Sequence, residues 1–352
     1  MPLVSVIIPT FNSSKYILKT LDAIFTQTLQ DFEIIIVDDC STDNTVDIIK
    51  AIGDPRIKLS VNESNKGISF THNKLISLCT TNYIAIQDHD DISYPYRLKS
   101  QFEFLEKRKD LIAAASFPTY IDESGNDIMS PFFRKILRLL GLNNYNPSQE
   151  GISACMLFAN IFCHSTVMIN KKRLGDQRYS EDFKICDDYD LLARFAKNNA
   201  IKINRRPVLK YRIHRLNTSS KRFKEREHEV DIIQKKYLSL LNIHPSEEEL
   251  YIHNGYFNRL EIFSPDIEYL HKTVNWYNKI ESHNKEYKIY AKKELKEAIS
   301  SNWFVRCFES KRLGMPVLKA YFKAKDESGK KIGKPGKGLL LLFAILLKRD
   351  LK

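Results

Sequence analysis

The chain has 352 residues, 43% of them hydrophobic and 28% charged, which fits a soluble globular protein with a substantial core and excludes a mainly disordered chain. The formal net charge is +12, and residues 311–352 hold twelve Lys or Arg against three Asp or Glu, so the excess positive charge is concentrated in the C-terminal tail. The six cysteines form neither a Cys-x-x-Cys pair nor a Cys/His cluster, which disfavours a zinc site or a disulfide framework.

Strand and helix patterns alternate through about residue 117. Apolar runs that end in turn or acidic residues predict buried strands at 4–8, 32–37, 57–61, 83–87 and 111–116. Apolar residues at helical spacing predict helices at 18–29, 46–52, 69–79 and 96–108. Gly53 is expected to end the second helix, and Gly67 can take a positive φ before the third. This alternation favours an α/β fold with a mostly parallel central sheet flanked by helices.

After residue 117 the alternation weakens. Residues 130–150 are predicted to be an insertion or loop near the active face. Two further strands are expected at 164–169 and 208–214, with a helix between them at 187–197. From about residue 221 the chain is charged and helical. We therefore place a boundary near residue 220, with a sheet domain at 1–220 and a helical C-terminal extension at 221–352.

The segment after the fourth strand carries three carboxylates within four positions, at Asp88, Asp90 and Asp91. Crowded like charges are costly unless a cation lies among them, and carboxylate oxygens suit Mg²⁺ or Mn²⁺. The alternative is an acidic turn that caps the next helix. Because the carboxyl ends of parallel strands gather at one edge, where Asp38 and Asp39 also lie, a ligand crevice is expected there.

Four motifs follow one another in the N-terminal half: VSVIIPTFN at 4–12, VDDCSTD at 37–43, NKGIS at 65–69 and QDHDD at 87–91. Together they resemble the N-terminal signature of family 2 glycosyltransferases, the inverting class with the GT-A, Rossmann-like fold. The similarity continues through Pro95–Leu98, His164, the DDYDL motif at 187–191 and the YRIH motif at 211–214. It covers about residues 3–220.

The resemblance implies a nucleotide-diphosphate-sugar donor, most often a UDP-sugar, and a divalent metal, Mn²⁺ or Mg²⁺. It assigns nucleotide and donor binding to Pro9, Thr10, Asn12, Asp39, Lys66, Asp88 and His89. It assigns metal binding to Asp90, Asp88, Asp91 and His214. The implied acceptor is a glycan or lipid-linked saccharide, in bacterial surface polysaccharide assembly.

An inverting enzyme also needs a general base for the acceptor hydroxyl. The family usually has Glu-Asp at the start of a helix, with the Asp as base, whereas this chain has Asp187-Asp188. The resemblance therefore points to Asp188 as the base, with Asp187 as the second candidate. A purely structural role is the alternative, since a helix dipole favours carboxylates in the first turn.

Two other classes of protein compete with this interpretation. A sugar-nucleotide nucleotidyltransferase would normally carry a glycine-rich basic loop after the first strand, but residues 9–14 contain no glycine. A basic nucleic-acid-binding protein would fit the net charge, but no recognised reading motif accompanies the basic tail, so no nucleic-acid partner is expected.

The C-terminal tail is basic and contains one short apolar run. Residues 338–347 are about half the ~20 residues needed to span a bilayer, and lysines flank them on both sides. This pattern predicts peripheral binding to an anionic membrane surface, while a terminal helix packed on the protein is the alternative. With a strand pattern at the N-terminus instead of a secretion signal, the expected location is cytoplasmic, at the inner face of the cell membrane.

Overall fold

The computed structural model describes residues 2–128, 147–214, 217, 222–255 and 265–346. The chain divides into two compact units: a sheet unit of Met1–Ser130 and Phe162–Phe223, and a helical unit of Pro131–Ile161 and Lys224–Lys352. Most of the predicted insertion at 130–150 lies outside the described residues, and its described end belongs to the helical unit. The proposed division at residue 220 remains a prediction.

The described strands all lie in the sheet unit. They are β1 (Val4–Thr10), β2 (Phe32–Asp38), β3 (Ile57–Val61), β4 (Tyr83–Ile86), β5 (Ile92–Ser93), β6 (Ala113–Ile121), β7 (Met168–Asn170) and β8 (Ile201–Arg212). The described helices are α1 (Ile17–Phe25), α2 (Thr45–Ile52), α3 (Ile68–Leu78), α4 (Arg97–Glu106), α5 (Ile152–Met156), α6 (Lys171–Leu174), α7 (Asp187–Lys197), α8 (Phe223–Ser239), α9 (Glu247–Asn254), α10 (Ile267–Tyr287), α11 (Lys292–Glu309), α12 (Met315–Lys323) and α13 (Pro335–Leu346). Two short 3₁₀ turns lie at His164–Thr166 and Lys311–Leu313.

The strands form one sheet in the order β3-β2-β1-β4-β7-β6-β8-β5. Strands β5 and β7 are antiparallel to their neighbours, and every other neighbouring pair is parallel. The predicted α/β fold with a mostly parallel sheet is confirmed. The parallel strands end at one edge, which brings Thr10, Asp38 and the acidic segment after β4 to the same side of the sheet.

The apolar runs form strands because the sheet is covered on both faces. Every residue of β1 and β2 is buried, as expected for strands that have helices on both sides. Side chains alternate along β1: Val6 and Ile8 join a core with α1, α2 and α4, whereas α3 packs against β1 and β2. The predicted glycine roles are also confirmed, since Gly53 ends α2 at φ 67° and Gly67 precedes α3 at φ 90°.

Three predicted strands differ from the observed ones by more than two residues at one end. The strand predicted at 111–116 is β6, which continues to Ile121. The strand expected at 164–169 is a 3₁₀ turn followed by β7, because Thr166 uses its hydroxyl to bond the carbonyls of Ser116 and Cys163 instead of joining a ladder. Strand β8 begins seven residues before the predicted start at 208, and it absorbs the polar residues around Pro207 through a register shift opposite Ser116 and Pro118.

In the helical unit, the terminal helix α13 packs against its neighbours α11 and α12. Leu341 is fully buried, and Gly338 lies so close to the Phe322 ring that a Cβ there would come within 2.2 Å of it. The Tyr321 hydroxyl, in turn, hydrogen bonds to the backbone of Lys334. Leu339, on another side of the same helix, is 52% exposed. Within the part of the chain that the structure describes, no helix combines the length and the apolar character needed to span a bilayer.

Candidate active site

Two side chains, one from α1 and one directly after β4, hold the backbone of the acidic segment. The Thr20 hydroxyl of α1 lies 2.8 Å from the carbonyl oxygen of His89 and 3.0 Å from that of Asp91, and it shares its one proton between them. Gln87 donates its amide to the carbonyls of Asp88 and Asp91, at 2.9 and 3.1 Å. These bonds satisfy the carbonyls of a tight turn, so the orientation of the carboxylates is set by the fold.

Arg97, on the first turn of α4, explains the PYRL motif that the sequence places after the acidic segment. Its guanidinium is 1% exposed and donates to the carbonyl of Ile86 at the end of β4, to Gln87 Oε1 at 2.7 Å and to Ser93 Oγ at 2.9 Å. A buried guanidinium is stable only when most of its donors find acceptors. Arg97 therefore joins the end of β4, the acidic turn and α4 into one rigid element.

Asp91 is fully buried, and both of its carboxylate oxygens accept hydrogen bonds from the protein. Oδ1 accepts from the backbone N–H of Arg212 at 2.9 Å, and Oδ2 lies in hydrogen-bond range of Ser165 Oγ. The same hydroxyl lies 2.8 Å from Asp88 Oδ2. Since one hydroxyl carries one proton, both contacts are satisfied only when one carboxyl is protonated.

Electrostatics around this pair favour that proton. Burial, followed by the charges of Asp90 and Asp88, raises the pKa of Asp91 well above its usual range. Burial and the charge of Asp90 also raise the pKa of Asp88. Burial and the mutual repulsion of these carboxylates therefore favour the protonated form of Asp88 and Asp91.

Asp90 is placed differently, beside the end of β8. Its Oδ2 lies 2.8 Å from Nε2 of His214, whose ring packs on Tyr16 with centroids 5.0 Å apart. Burial acts to raise the pKa of Asp90, but the His214 hydrogen bond and the nearby imidazoles of His89 and His214 outweigh it, so the pKa is lowered. Asp90 is thus the carboxylate of the segment that stays ionised.

Arg212, the last residue of β8, connects the acidic segment to the loop after β6. Its side chain is 1% exposed, and its Nε and Nη1 donate to the carbonyls of Asp90, Asp122 and Glu123, at 2.9, 3.2 and 3.0 Å. It also lies over the Tyr16 ring, 4.8 Å from the centroid. Arg212 therefore fixes the loops after β4 and β6 to the end of β8.

The loops after β1, β2 and β3 build the predicted nucleoside end of the site. Asp39, 5% exposed, accepts from Asn62 Nδ2 and from the backbone N–H groups of Lys66 and Gly67, at 2.8, 2.8 and 2.9 Å. The carboxylate thus orders the turn before α3. The Lys66 side chain itself is exposed.

The predicted residues after β1 are tied to the loop after β2. Thr10, the residue after Pro9, donates its hydroxyl to Oδ2 of Asp38 at 2.9 Å. Asn12 has a left-handed backbone at φ 50°, and its Oδ1 accepts from the N–H of Thr42 at 2.9 Å. Side-chain bonding to a neighbouring loop is one way that Asn tolerates this conformation.

The two candidate base residues open helix α7, as predicted. Asp187 is buried, with Oδ2 3.2 Å from Nδ1 of His72 on α3. Asp188 is half-buried, and burial raises its pKa to about 6, with His164 opposing the rise and Asp187 adding to it. A carboxylate with a pKa near the working pH suits a general base. The third acidic residue of this turn, Asp190, pairs with Arg194 at 3.0 Å.

The structure therefore brings Asp88, Asp90, Asp91 and His214 to one edge of the sheet. Within the described ranges, no group of three His, Cys, Asp or Glu side chains is preformed as a metal site. His89 lies in the same turn with its side chain half-buried. Sequence reasoning missed His72 and Ser165, since a single His on a helix and a Ser in an apolar stretch carry no signal of their own.

Comparison with known proteins identifies the family. The sequence model described as Glycosyl transferase family 2 matches residues 5–174. An uncharacterised glycosyltransferase of Methanocaldococcus jannaschii is 30% identical over 75% of this chain and 86% of its own length. The Escherichia coli UDP-Glc:alpha-D-GlcNAc-diphosphoundecaprenol beta-1,3-glucosyltransferase is 30% identical over 64% of this chain and 83% of its own.

Solved structures agree on the fold. Staphylococcus aureus TarS in complex with UDP-GlcNAc superposes with a TM-score of 0.53 at 17% identity, covering 99% of this chain and 93% of that one. The mannosyltransferase PcManGT from Pyrobaculum calidifontis, in complex with GDP-Man and Mn²⁺, gives 0.52 at 15% identity, covering 99% and 88%. The fold is GT-A, and the chain belongs to glycosyltransferase family 2.

Proposed function

We propose that this enzyme transfers a sugar, with inversion at the anomeric carbon, from a UDP-sugar to a hydroxyl group of a glycan or lipid-linked acceptor. The observation that carries the proposal is the acidic segment Asp88–Asp91, rigidly held at the edge of the sheet beside His214. Support for the substrates comes from relatives: TarS was solved with UDP-GlcNAc, and the E. coli relative is named for transfer to a lipid diphosphate-linked sugar. Assembly of a bacterial surface polysaccharide fits these relatives.

The residues of the acidic segment fit a divalent metal. Asp90 stays ionised beside His214, and Asp88 is half-buried, so both carboxylates and the imidazole would hold Mn²⁺ or Mg²⁺. The raised pKa values of Asp88 and Asp91 mark a place where positive charge is favourable. A bound metal would neutralise the developing charge of the diphosphate leaving group. Both oxygens of Asp91 already accept hydrogen bonds, so Asp91 would hold Ser165 and Arg212 in place beside the metal ligands.

The nucleoside would lie along the loops after β1, β2 and β3. Pro9, Thr10 and Asn12 would line one side, with the half-buried His89 nearer the diphosphate. Both lone pairs of Asp39 Oδ1 are taken by Asn62 and Lys66, whereas Oδ2 accepts from Gly67 N–H and keeps one lone pair. A base N–H could donate to such an oxygen without disturbing the turn.

Asp188 would act as the general base. It takes the proton from the acceptor hydroxyl as that oxygen attacks the anomeric carbon. The bond between this carbon and the diphosphate oxygen breaks on the opposite side, and the nucleoside diphosphate leaves with the bonding electron pair. The half-burial and raised pKa of Asp188 support this role.

Thermal unfolding with a panel of nucleotide sugars tests the donor and the metal together. We expect UDP-GlcNAc or UDP-Glc to stabilise the protein in the presence of Mn²⁺, by about 2.7 kcal/mol at a free donor concentration 100 times the dissociation constant. GDP-Man and metal-free samples serve as controls. Equal stabilisation with and without Mn²⁺ would contradict the metal site, and stabilisation by GDP-Man alone would contradict the UDP-sugar.

We also propose that the basic C-terminal segment binds an anionic membrane surface at the inner face of the cell membrane. The packing of α13 buries Leu341 but leaves Leu339 exposed, together with Lys330 and Lys331. Each lysine close to an anionic surface contributes about 1 kcal/mol. The part of the prediction that concerns residues 347–352 lies outside the described residues.

Vesicle binding tests this surface without deleting the packed helix. We expect binding to vesicles of anionic lipid that weakens with salt, and a loss of about 2 kcal/mol or more when Lys330→Glu and Lys331→Glu are combined. A matched control reverses two exposed lysines of the sheet unit, Lys107 and Lys172. Equal binding of both double variants, or equal binding to neutral vesicles, would disprove an electrostatic surface at this tail.

A further inference from the structure

His72 is a buried histidine that the proposed mechanism does not use. It lies on α3, is 2% exposed, and its Nδ1 is 3.2 Å from Oδ2 of Asp187 at the start of α7. Burial lowers its pKa to about 4, so the ring is neutral at physiological pH. A neutral imidazole has one N–H, and an ionised carboxylate can only accept. The contact with Asp187 therefore places the proton on Nδ1.

The other nitrogen of this ring has no comparable role within the protein. Nε2 is buried and has no hydrogen-bond partner among the described residues. A buried histidine with a purely structural role would be expected to hydrogen bond through both nitrogens, because an unpartnered buried polar atom is costly. The asymmetry indicates that the Nδ1–H donor to Asp187 is what this position supplies.

Two aromatic neighbours fix the plane of the ring. The His72 ring stacks on Tyr179 with centroids 4.7 Å apart and meets the edge of His164 at 4.8 Å. Tyr179 and His164 are themselves joined, through the tyrosine hydroxyl and Nε2, at 2.8 Å. His72 and Tyr179 are buried and His164 is half-buried, which leaves the Nδ1–H group little freedom to turn away from Asp187.

We propose that His72 is a positioning residue: its Nδ1–H group holds Asp187 and thereby orients the first turn of α7 so that Asp188 faces the acceptor hydroxyl. This inference rests on the proposed role of Asp188 as the base. In chain order Asp187 and Asp188 are adjacent, so a restraint on one carboxylate restrains the backbone that carries the other. A base displaced by about 1 Å can lose roughly a hundredfold in rate.

The restraint has an electrostatic consequence. The titratable groups that act on Asp188, or on which it acts, are His164, Asp187, Asp88, Tyr179 and Cys163. Without the Nδ1–H donor, burial would favour the neutral form of the neighbouring aspartate at 187. That loss of negative charge would stabilise ionised Asp188, and the acid limb of the pH profile would move to lower pH.

Two substitutions separate the donor from the ring. In His72→Asn, the amide N–H replaces Nδ1–H while the ring is lost, and nothing is lost at Nε2 because that atom has no partner among the described residues. In His72→Phe, the ring and its stacking on Tyr179 are kept while the donor is lost. The assay is release of UDP from UDP-GlcNAc with Mn²⁺, with water as the acceptor, followed across pH with melting temperature as the folding control.

We expect His72→Phe to lower kcat roughly tenfold or more, with the KM for UDP-GlcNAc unchanged and the acid limb moved to lower pH. His72→Asn should recover most of kcat and the acid limb of the parent enzyme. If His72→Phe behaves like the parent, the donor is not needed and the inference is wrong. If His72→Asn loses as much as His72→Phe, an N–H donor at this position does not restore the function, and the inference is also wrong.

Asp187→Asn approaches the same contact from the other side and serves if a His72 variant does not fold. It removes the charge next to Asp188, so the acid limb should again move to lower pH, and adding His72→Phe should cause little further loss. Fully additive losses would overturn the inference. Asp188→Asn distinguishes a failure of the proposed base from a failure of the positioning role. If Asp188→Asn keeps full activity, the base is wrongly assigned. If Asp188→Asn is inactive but His72→Phe has the pH profile of the parent, only the role of His72 is disproved.

Discussion

Asp188→Asn is expected to lower the rate of sugar transfer by about 100- to 10,000-fold, the usual contribution of a general base. Asparagine has nearly the same shape, but its amide cannot take the proton from the acceptor hydroxyl. Donor binding should persist, because the nucleotide would be held by the loops after β1–β3 and by the acidic segment. The parent enzyme should lose activity as the pH falls through about 6, where Asp188 becomes protonated.

Release of UDP from UDP-GlcNAc, measured across pH, checks this prediction, and the thermal shift with the donor and Mn²⁺ checks that the site is intact. The same substitution at Asp176, which is exposed, provides a control. NMR of the sugar first released in water adds a stereochemical check, since an inverting enzyme gives the β-anomer from an α-linked donor. Full activity in Asp188→Asn, with loss in Asp187→Asn, would assign the base to Asp187.

Asp90→Asn is expected to abolish the stabilisation of the protein by the donor with Mn²⁺. Asp90 is the carboxylate of the acidic segment whose pKa is lowered, so it is the one that offers a full negative charge to a metal. The substitution removes that charge, whereas an amide oxygen can still accept a hydrogen bond in the direction of His214. The fold should therefore survive while metal-dependent binding is lost.

The measurement is thermal unfolding with and without the donor and Mn²⁺, for Asp90→Asn, Asp88→Asn and a control at Asp22, which is exposed on α1. We expect a loss of the metal-dependent shift for both site variants and an unchanged shift for the control. A metal-dependent shift of parental size in Asp90→Asn would remove Asp90 from the proposed metal ligands and leave the segment with a role in donor binding alone.

Much of the fold could be predicted from the sequence because its strands are buried on both faces. Such strands are continuous apolar runs, and β2, in which every residue is buried, begins at the predicted residue 32 and ends one residue after the predicted 37. Strand β5 has two residues and leaves no such pattern. The start of β8 was missed because Asn204 and Pro207 are typical turn residues, whereas the parallel pairing with β6 accepts them through a shift in register.

The carboxylates of the site could be predicted from the sequence, but their hydrogen-bond partners could not. Clustered acidic residues at a strand end are visible as a pattern, and Asp187 and Asp188 do open a helix as expected. The partners of these groups come from distant positions: Ser165 for Asp88 and Asp91, and His72 for Asp187. Contacts across roughly 70 to 120 residues depend on how the elements pack, and no local spacing records them.

The hydrogen bonds that Thr20, Gln87 and Arg97 make around the acidic segment have a consequence for affinity. A turn that must become ordered when its ligand arrives costs about 1–2 kcal/mol of backbone entropy for each residue that is fixed. Here the turn is already fixed by side chains that belong to the core. The entropy lost in arranging these carboxylates is therefore lost when the chain folds, and it does not weaken donor binding.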